Sequence, residues 1–291
     1  MARGGIRSYA MACGCVAAAG AVTALVLGAG PSQAAAGRAA AAASSAICKS
    51  ATRPKLAARI SRGILAALAS RDSVVGLTVS DPRYDLTCAL HEDEHFDSAS
   101  AIKATIISAL LYKVGGPSHM TKAQHALAWL MITQSDNDAA TALWDEVGIT
   151  WLQKFVTAAG MRQTVLDNDA WGLSQLTAHD EMILLGVLVS KGTVLSGASR
   201  SYVLWLMSNV ISSQRWGVSA GAPAGVTVSL KNGWLPYPVS DDWHVNSIGA
   251  FRGDDILYRI VVLTSGNATM AYGVDTIQAA ARVINTDIAR A

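Results

Sequence analysis

Apolar residues recur at Leu56, Ile60, Ile64, Leu65 and Leu68 within "RPKLAARISRGILAALAS" (53–70), the spacing of one buried helix face. The period then changes. "SVVGLTVSD" (73–81) and "RYDLTCAL" (83–90) alternate apolar and polar positions, which predicts two strands paired about a turn at Asp81-Pro82. From about residue 100 to 210 the spacing is mostly helical. "VTVSLKNG", "WHVNSIGAF" and "ILYRIVVLTSG" predict three more strands, and a last helix covers roughly 274–290. This order predicts an α/β (α+β) fold. An antiparallel sheet of about five strands is flanked by helices, the terminal helices cover one face, and an all-helical lobe is inserted. No internal repeat is visible.

The first segment stands apart from this pattern. "MARGGIRSYAMACGCVAAAGAVTALVLGAGPSQAAAG" has Arg3 and Arg7, then an apolar stretch, then small residues around Ser32-Gln33-Ala34. That predicts a secretory signal over 1–34, cleaved close to Ala34, with an uncleaved membrane anchor as the alternative. An Ala-rich leader over 35–50 and a two-lobed domain over 51–291 complete the organisation. Removing residues 1–34 takes away two arginines and no acids, so the formal net charge falls from +2 to zero. A neutral exported protein has no electrostatic basis for binding nucleic acid. No later stretch is long and apolar enough to span a bilayer, so no stable membrane partner is expected. In an oxidising compartment the two remaining cysteines, Cys48 and Cys88, default to one disulfide; two buried free thiols are the alternative.

"HEDEHFDSASAIK" (91–103) makes two incompatible chemical offers. His91-Glu92-Asp93-Glu94-His95 fits H-E-x-x-H, which binds zinc when both imidazoles share a helix face. The preceding residues have a strand period, and in an extended segment His91 and His95 stand about 13 Å apart, too far for one ion. No metal or other cofactor is expected. Ser100-Ala101-Ile102-Lys103 fits S-x-x-K at the start of "SAIKATIISALLYK", with Asp97 and Ser98 as capping candidates. Ser100 would fall where backbone N–H groups are free, with Lys103 within reach of its hydroxyl. A serine becomes nucleophilic when a base takes its proton, and a lysine serves as base only if desolvation or a neighbouring cation keeps it neutral.

Two further motifs follow: Ser135-Asp136-Asn137 after a helical run at 122–134, and Lys231-Asn232-Gly233 at the end of a predicted strand. With these three motifs in order, the chain resembles the penicillin-recognising serine enzymes, most closely the class A β-lactamases. Phe96, four residues before the serine, and "VNSIGAF" and "YRIVVLTSG" add to the likeness, which spans about residue 50 to the end. The resemblance implies Ser100 as nucleophile, Lys103 as its base, Ser135 as proton relay and Lys231 as the cation near Ser135 and a substrate carboxylate. It implies substrate contacts at Asn137, Asn232, Gly233 and Trp234, an oxyanion hole from the N–H groups of Ser100 and Trp234, and a structural role for Asp136. A monomer acting on a small molecule, a β-lactam or a cell-wall peptide, is the expectation.

The match departs where the family places a water-activating Glu in E-x-x-L-N. Aligning Leu166-Asp167 and Leu173 puts Ala170 at the Glu and Ser174 at the Asn. Asp167, Asp169 and Glu181 are the substitutes at hand, although Glu181 reads more simply as a surface residue of a helix over 176–190. Asn232 replaces a Thr or Ser, and only 35 positions separate Ser100 from Ser135, so the helical lobe is trimmed. Trp216 and Trp234 are candidates to line the opened cleft, against core packing. Loss of the Glu makes a D-Ala-D-Ala carboxypeptidase, or a sensor acylated without turnover, the alternatives to a hydrolase of β-lactams.

Overall fold

The computed structural model describes residues 46–237 and 240–291. The signal segment and most of the leader lie outside the described residues. The strands are β1 (Cys48–Ser50), β2 (Val74–Asp81), β3 (Leu86–Leu90), β4 (Phe96–Asp97), β5 (Gln175–Leu176), β6 (Thr227–Tyr237), β7 (Asp242–Arg252) and β8 (Leu257–Asn267). The helices are α1 (Pro54–Leu68), α2 (Lys103–Val114), α3 (Lys122–Trp129), α4 (Asn137–Val147), α5 (Ile149–Ala159), α6 (Ala178–Val189), α7 (Gly197–Ser208) and α8 (Met270–Ala289).

One antiparallel sheet has the order β1-β3-β2-β8-β7-β6, and β4 and β5 form a separate ribbon. The main sheet has six strands rather than about five. The extra one, β1, lies in the stretch read as leader and pairs with β3, Cys48 standing opposite Cys88. These two cysteines are joined in a disulfide.

The two central strands are buried on both faces. Leu77, Val79, Ile260 and Val262 pack with Leu56, Ile60 and Ile64 of α1 and Ile277 and Ile284 of α8, so the terminal helices do cover one face. Helix α8 begins at Met270, earlier than its apolar period predicts, because the Thr269 side chain accepts from the Tyr272 N–H and caps it there. Val261 and Leu263 point to the other face, against the helical lobe. In that lobe every residue from Lys103 to Leu111 is buried, which makes α2 its central helix, packed on α4 and α5. No described helix is long and apolar enough to cross a membrane.

Candidate active site

Ser100 lies in a 3-10 turn, Ala99–Ile102, that runs directly into α2. Neither Asp97 nor Ser98 caps this turn with its side chain, contrary to the expectation from sequence. The Ser98 hydroxyl instead donates to the carbonyls of Trp171 and Gly172, 3.2 Å from each, tying the turn to the loop before β5. The Asp97 carboxylate accepts from Gln175 Nε2 of β5. From β7, Asn246 Nδ2 donates to the carbonyls of Asp97 and Ser98. Strand β6 closes the arrangement from the side. A Cβ at Gly233 would stand 2.7 Å from the backbone nitrogens of both Ser100 and Ala101. Glycine is therefore required for this approach, which brings the Ser100 N–H beside the strand that carries the Trp234 N–H.

Ser135 is placed by a π-helical turn, Leu130–Gln134, that follows α3 and ends with Ser135 in the left-handed region, φ 59° and ψ 32°. Asp136 then caps α4, its Oδ1 accepting from the Ala139 N–H at 2.7 Å, which is the structural part expected of it. This reversal aims the Ser135 hydroxyl and the Asn137 amide back at α2. Lys103 Nζ donates to the Ser135 carbonyl and to Asn137 Oδ1, both at 2.7 Å, and to Ser135 Oγ at 3.3 Å. Lys231 Nζ reaches the same Oγ from β6 at 2.9 Å and also donates to the Asn232 carbonyl. One serine hydroxyl thus bridges two fully buried amines.

Burial holds the Lys103 pKa down to about 7, with Asp136 partly opposing. Burial also pushes Lys231 well below its ordinary value, reinforced by Lys103. The direct contact between Lys103 and Ser100 expected from their spacing is not made. Among the described residues the Ser100 hydroxyl has no hydrogen-bond partner, because the amine is drawn to the acceptors across the cleft. A neutral amine has two N–H bonds and one lone pair. In that form the Ser135 carbonyl and Asn137 Oδ1 take the two hydrogens, and the longer contact with Ser135 Oγ falls to the lone pair, the site that can receive a proton.

Asn232 departs from its expected role. It is buried, Nδ2 donates to the carbonyls of Gln214 and Trp216, and Oδ1 accepts from Ser247 Oγ. In a strand, alternate residues face opposite ways. Asn232 therefore lies behind the edge that carries Lys231 and Gly233, with its amide engaged there rather than offered to a carboxylate. Trp234 shares that rear face. Its ring packs against Trp216 with centroids 5.9 Å apart, and both indoles are half-buried against the cluster under α1 and α8.

In the loop that should supply the deacylating carboxylate, one acid is engaged in the loop's own turn and the other faces solvent. Asp167 Oδ1 accepts from the N–H groups of Asp169 and Ala170, which spends it on the loop's own turn. Asp169 is exposed, and Ser174 Oγ accepts from the Asp167 N–H. The residue the sequence reading passed over is Trp171. Its ring centroid lies 4.8 Å from Lys103 Nζ, and its Nε1 donates to Thr141 Oγ1. An indole therefore stands against the amine; an aromatic residue next to the missing Glu is the only signal in the sequence. Glu181 is not on the surface as expected. It is fully buried on the core side of α6 with Leu184, Leu185 and Leu188, and both carboxylate oxygens lack a hydrogen-bond partner among the described residues.

The H-E-x-x-H segment is strand end and turn, not helix. His91 Nδ1 donates to the Val75 carbonyl and His95 Nε2 to that of Gln163. Among the described residues no group of three or more metal-ligating side chains converges.

Residues 117–288, more than half of the chain, match the model of the beta-lactamase enzyme family. The match spans Ser135-Asp136-Asn137 and Lys231-Asn232-Gly233 and begins after Ser100 and Lys103. Among solved structures, a class A beta-lactamase from Bacteroides cellulosilyticus DSM 14838 is 18% identical with TM-score 0.69, over 80% of this chain and 98% of that one. PBP-A is 20% identical with TM-score 0.67, over 80% and 96%. A variant of PBP-A, solved as an acyl-enzyme complex with penicillin G, is 19% identical with TM-score 0.67, over the same shares. At these identities the likeness to solved structures is one of fold. No curated protein matches the chain.

Proposed function

The chain belongs to the beta-lactamase enzyme family, and from that premise we propose that it is a secreted hydrolase that opens a β-lactam or related amide through an acyl-enzyme on Ser100. The observation that carries this reading is the Ser135 hydroxyl bridging the amines of Lys103 and Lys231, with Ser100 on the same helix as Lys103. Ser100 Oγ attacks the carbonyl carbon as its proton passes to the Lys103 lone pair, directly or through a water. The N–H groups of Ser100 and Trp234 stabilise the oxyanion. As the tetrahedral intermediate collapses, the C–N bond breaks, and the departing nitrogen takes a proton from Ser135 Oγ, which is resupplied by one of the two amines. Asn137 is exposed, and its free Nδ2 orients the substrate amide.

A second reading has a specific observation behind it. With Ala170 at the Glu position and Trp171 against Lys103, water activation at the ester is handicapped. That favours a penicillin-binding carboxypeptidase or a sensor that is acylated and stays so. Intact mass of the mature protein, followed after addition of penicillin G with Ser100→Ala as control, tests both. A transient adduct with penicillin consumed supports the hydrolase, whereas an adduct lasting hours supports the second reading. No adduct on the wild type together with no penicillin consumed would rule out β-lactams as acylating substrates.

A further inference from the structure

Away from the cleft, four strands of the sheet carry one polar row. Lys49 of β1 stands opposite Thr87 of β3, Thr87 opposite Ser80 of β2, and Ser80 opposite Arg259 of β8. Paired residues share a face, and three strand spacings put the two cationic positions about 14 Å apart with hydroxyls between. Helix α6 lies beside this row rather than over it. Its first turn is anchored where Thr78 Oγ1 donates to the Ala178 carbonyl, 3.0 Å away. What remains between helix and sheet is a cavity of about 450 Å³, floored by the row and walled by Met182 and Ile183. It shares no residue with the three catalytic motifs.

Arg259 makes this cavity chemically unusual. Its guanidinium donates to Ser80 Oγ at 2.7 Å and, at 3.5 Å, to the Met182 carbonyl, while its buried Nε has no partner among the described residues. No described carboxylate lies within ion-pair distance of it, and burial pushes its pKa down. A largely desolvated cation without a counter-charge costs stability that a bound anion recovers. Glu92 is the one acid in the lining against the two cations Lys49 and Arg259, which leaves one positive charge uncompensated.

We propose that this cavity binds a monocarboxylate with a short apolar arm. The carboxylate lies over the hydroxyl row between Arg259 and Lys49, and the arm lies on Met182 and Ile183. A single negative charge neutralises the site, whereas a phosphate dianion would overcompensate it, and the two walling side chains offer such an anion nothing polar.

Octanoate is the probe, titrated into the ¹⁵N-labelled mature protein and followed by amide chemical shifts. The expected result is saturable shifts at Lys49, Ser80 and Thr87, with octanamide and inorganic phosphate each at least about tenfold weaker. Arg259→Met and Lys49→Met should each weaken octanoate by about tenfold. Lys49 is an exposed edge-strand residue, so its variant keeps the test valid if Arg259→Met does not fold. Absence of saturable shifts, shifts centred on Ser100 and Ser135, unchanged affinity in Lys49→Met, or a preference for phosphate would each overturn the proposal.

Discussion

Lys103→Met is expected to slow acylation of Ser100 by about 10²–10⁴-fold, the usual contribution of a positioned general base. Lys103→Arg should be nearly as slow, because a guanidinium keeps the charge but has no proton-accepting form in a protein. That comparison separates a base from a mere cation. The wild-type rate has a pH signature of its own. Burial holds the Lys103 pKa down to about 7, so the reactive neutral amine dominates above that value and is lost below it. The acylation rate should rise about tenfold per pH unit below 7 and level off above it. Because Lys231 shares Ser135 Oγ with Lys103, the observed midpoint belongs to the coupled pair. Stopped-flow acylation by a chromogenic cephalosporin from pH 5 to 9 measures it. A pH-independent rate, or a Lys103→Arg variant that acylates normally, would remove Lys103 as the base.

Glu181→Leu is expected to stabilise the fold at pH 7 by on the order of 3 kcal/mol. Burial and then Asp180 push the Glu181 pKa from 4.5 up to about 8, and neither carboxylate oxygen has a described partner. A folded-state pKa above the unfolded one means that the native state binds the extra proton between those values. Stability therefore falls as pH rises from about 4.5 towards 8, and the wild type is most stable, with respect to this group, in acid. Leucine has no such proton and continues the apolar side of α6 formed by Leu184, Leu185 and Leu188. Urea unfolding of wild type and variant at pH 5, 6 and 7 reads the difference, which should widen by about 1 kcal/mol per unit. Lys103 and Lys231, both with pKa values lowered in the fold, contribute an opposite slope, but they do so in wild type and variant alike, so it cancels from the difference. A constant difference across the three pH values would show that Glu181 is not protonated in the fold.

Sequence by itself determined the order of the elements, the inserted helical lobe and the three family motifs. The physical reason is that these are short-range properties. A helix face repeats within a few residues, a strand alternates at every second one, and Ser100, Lys103, Ser135 and Lys231 lie in motifs of three or four residues. The same locality exposed the zinc motif as a decoy, since a strand period before His91 leaves no helix for the two imidazoles to share.

Tertiary structure alone decided what long-range packing controls. Lys103 turns from Ser100 to Ser135 and Asn137 because acceptors more than thirty positions away capture its amine. Asn232 becomes a support because Gln214, Trp216 and Ser247 use up its amide. Cys48–Ser50 is a strand because β3 offers it a free edge, and no apolar period within three residues announces that. Glu181 looked like a surface acid because a charge within a helical run usually faces water. Only the packing of α6 against the core shows that its carboxyl is buried, and only the fold of the 166–174 loop sets Trp171 against the amine of Lys103.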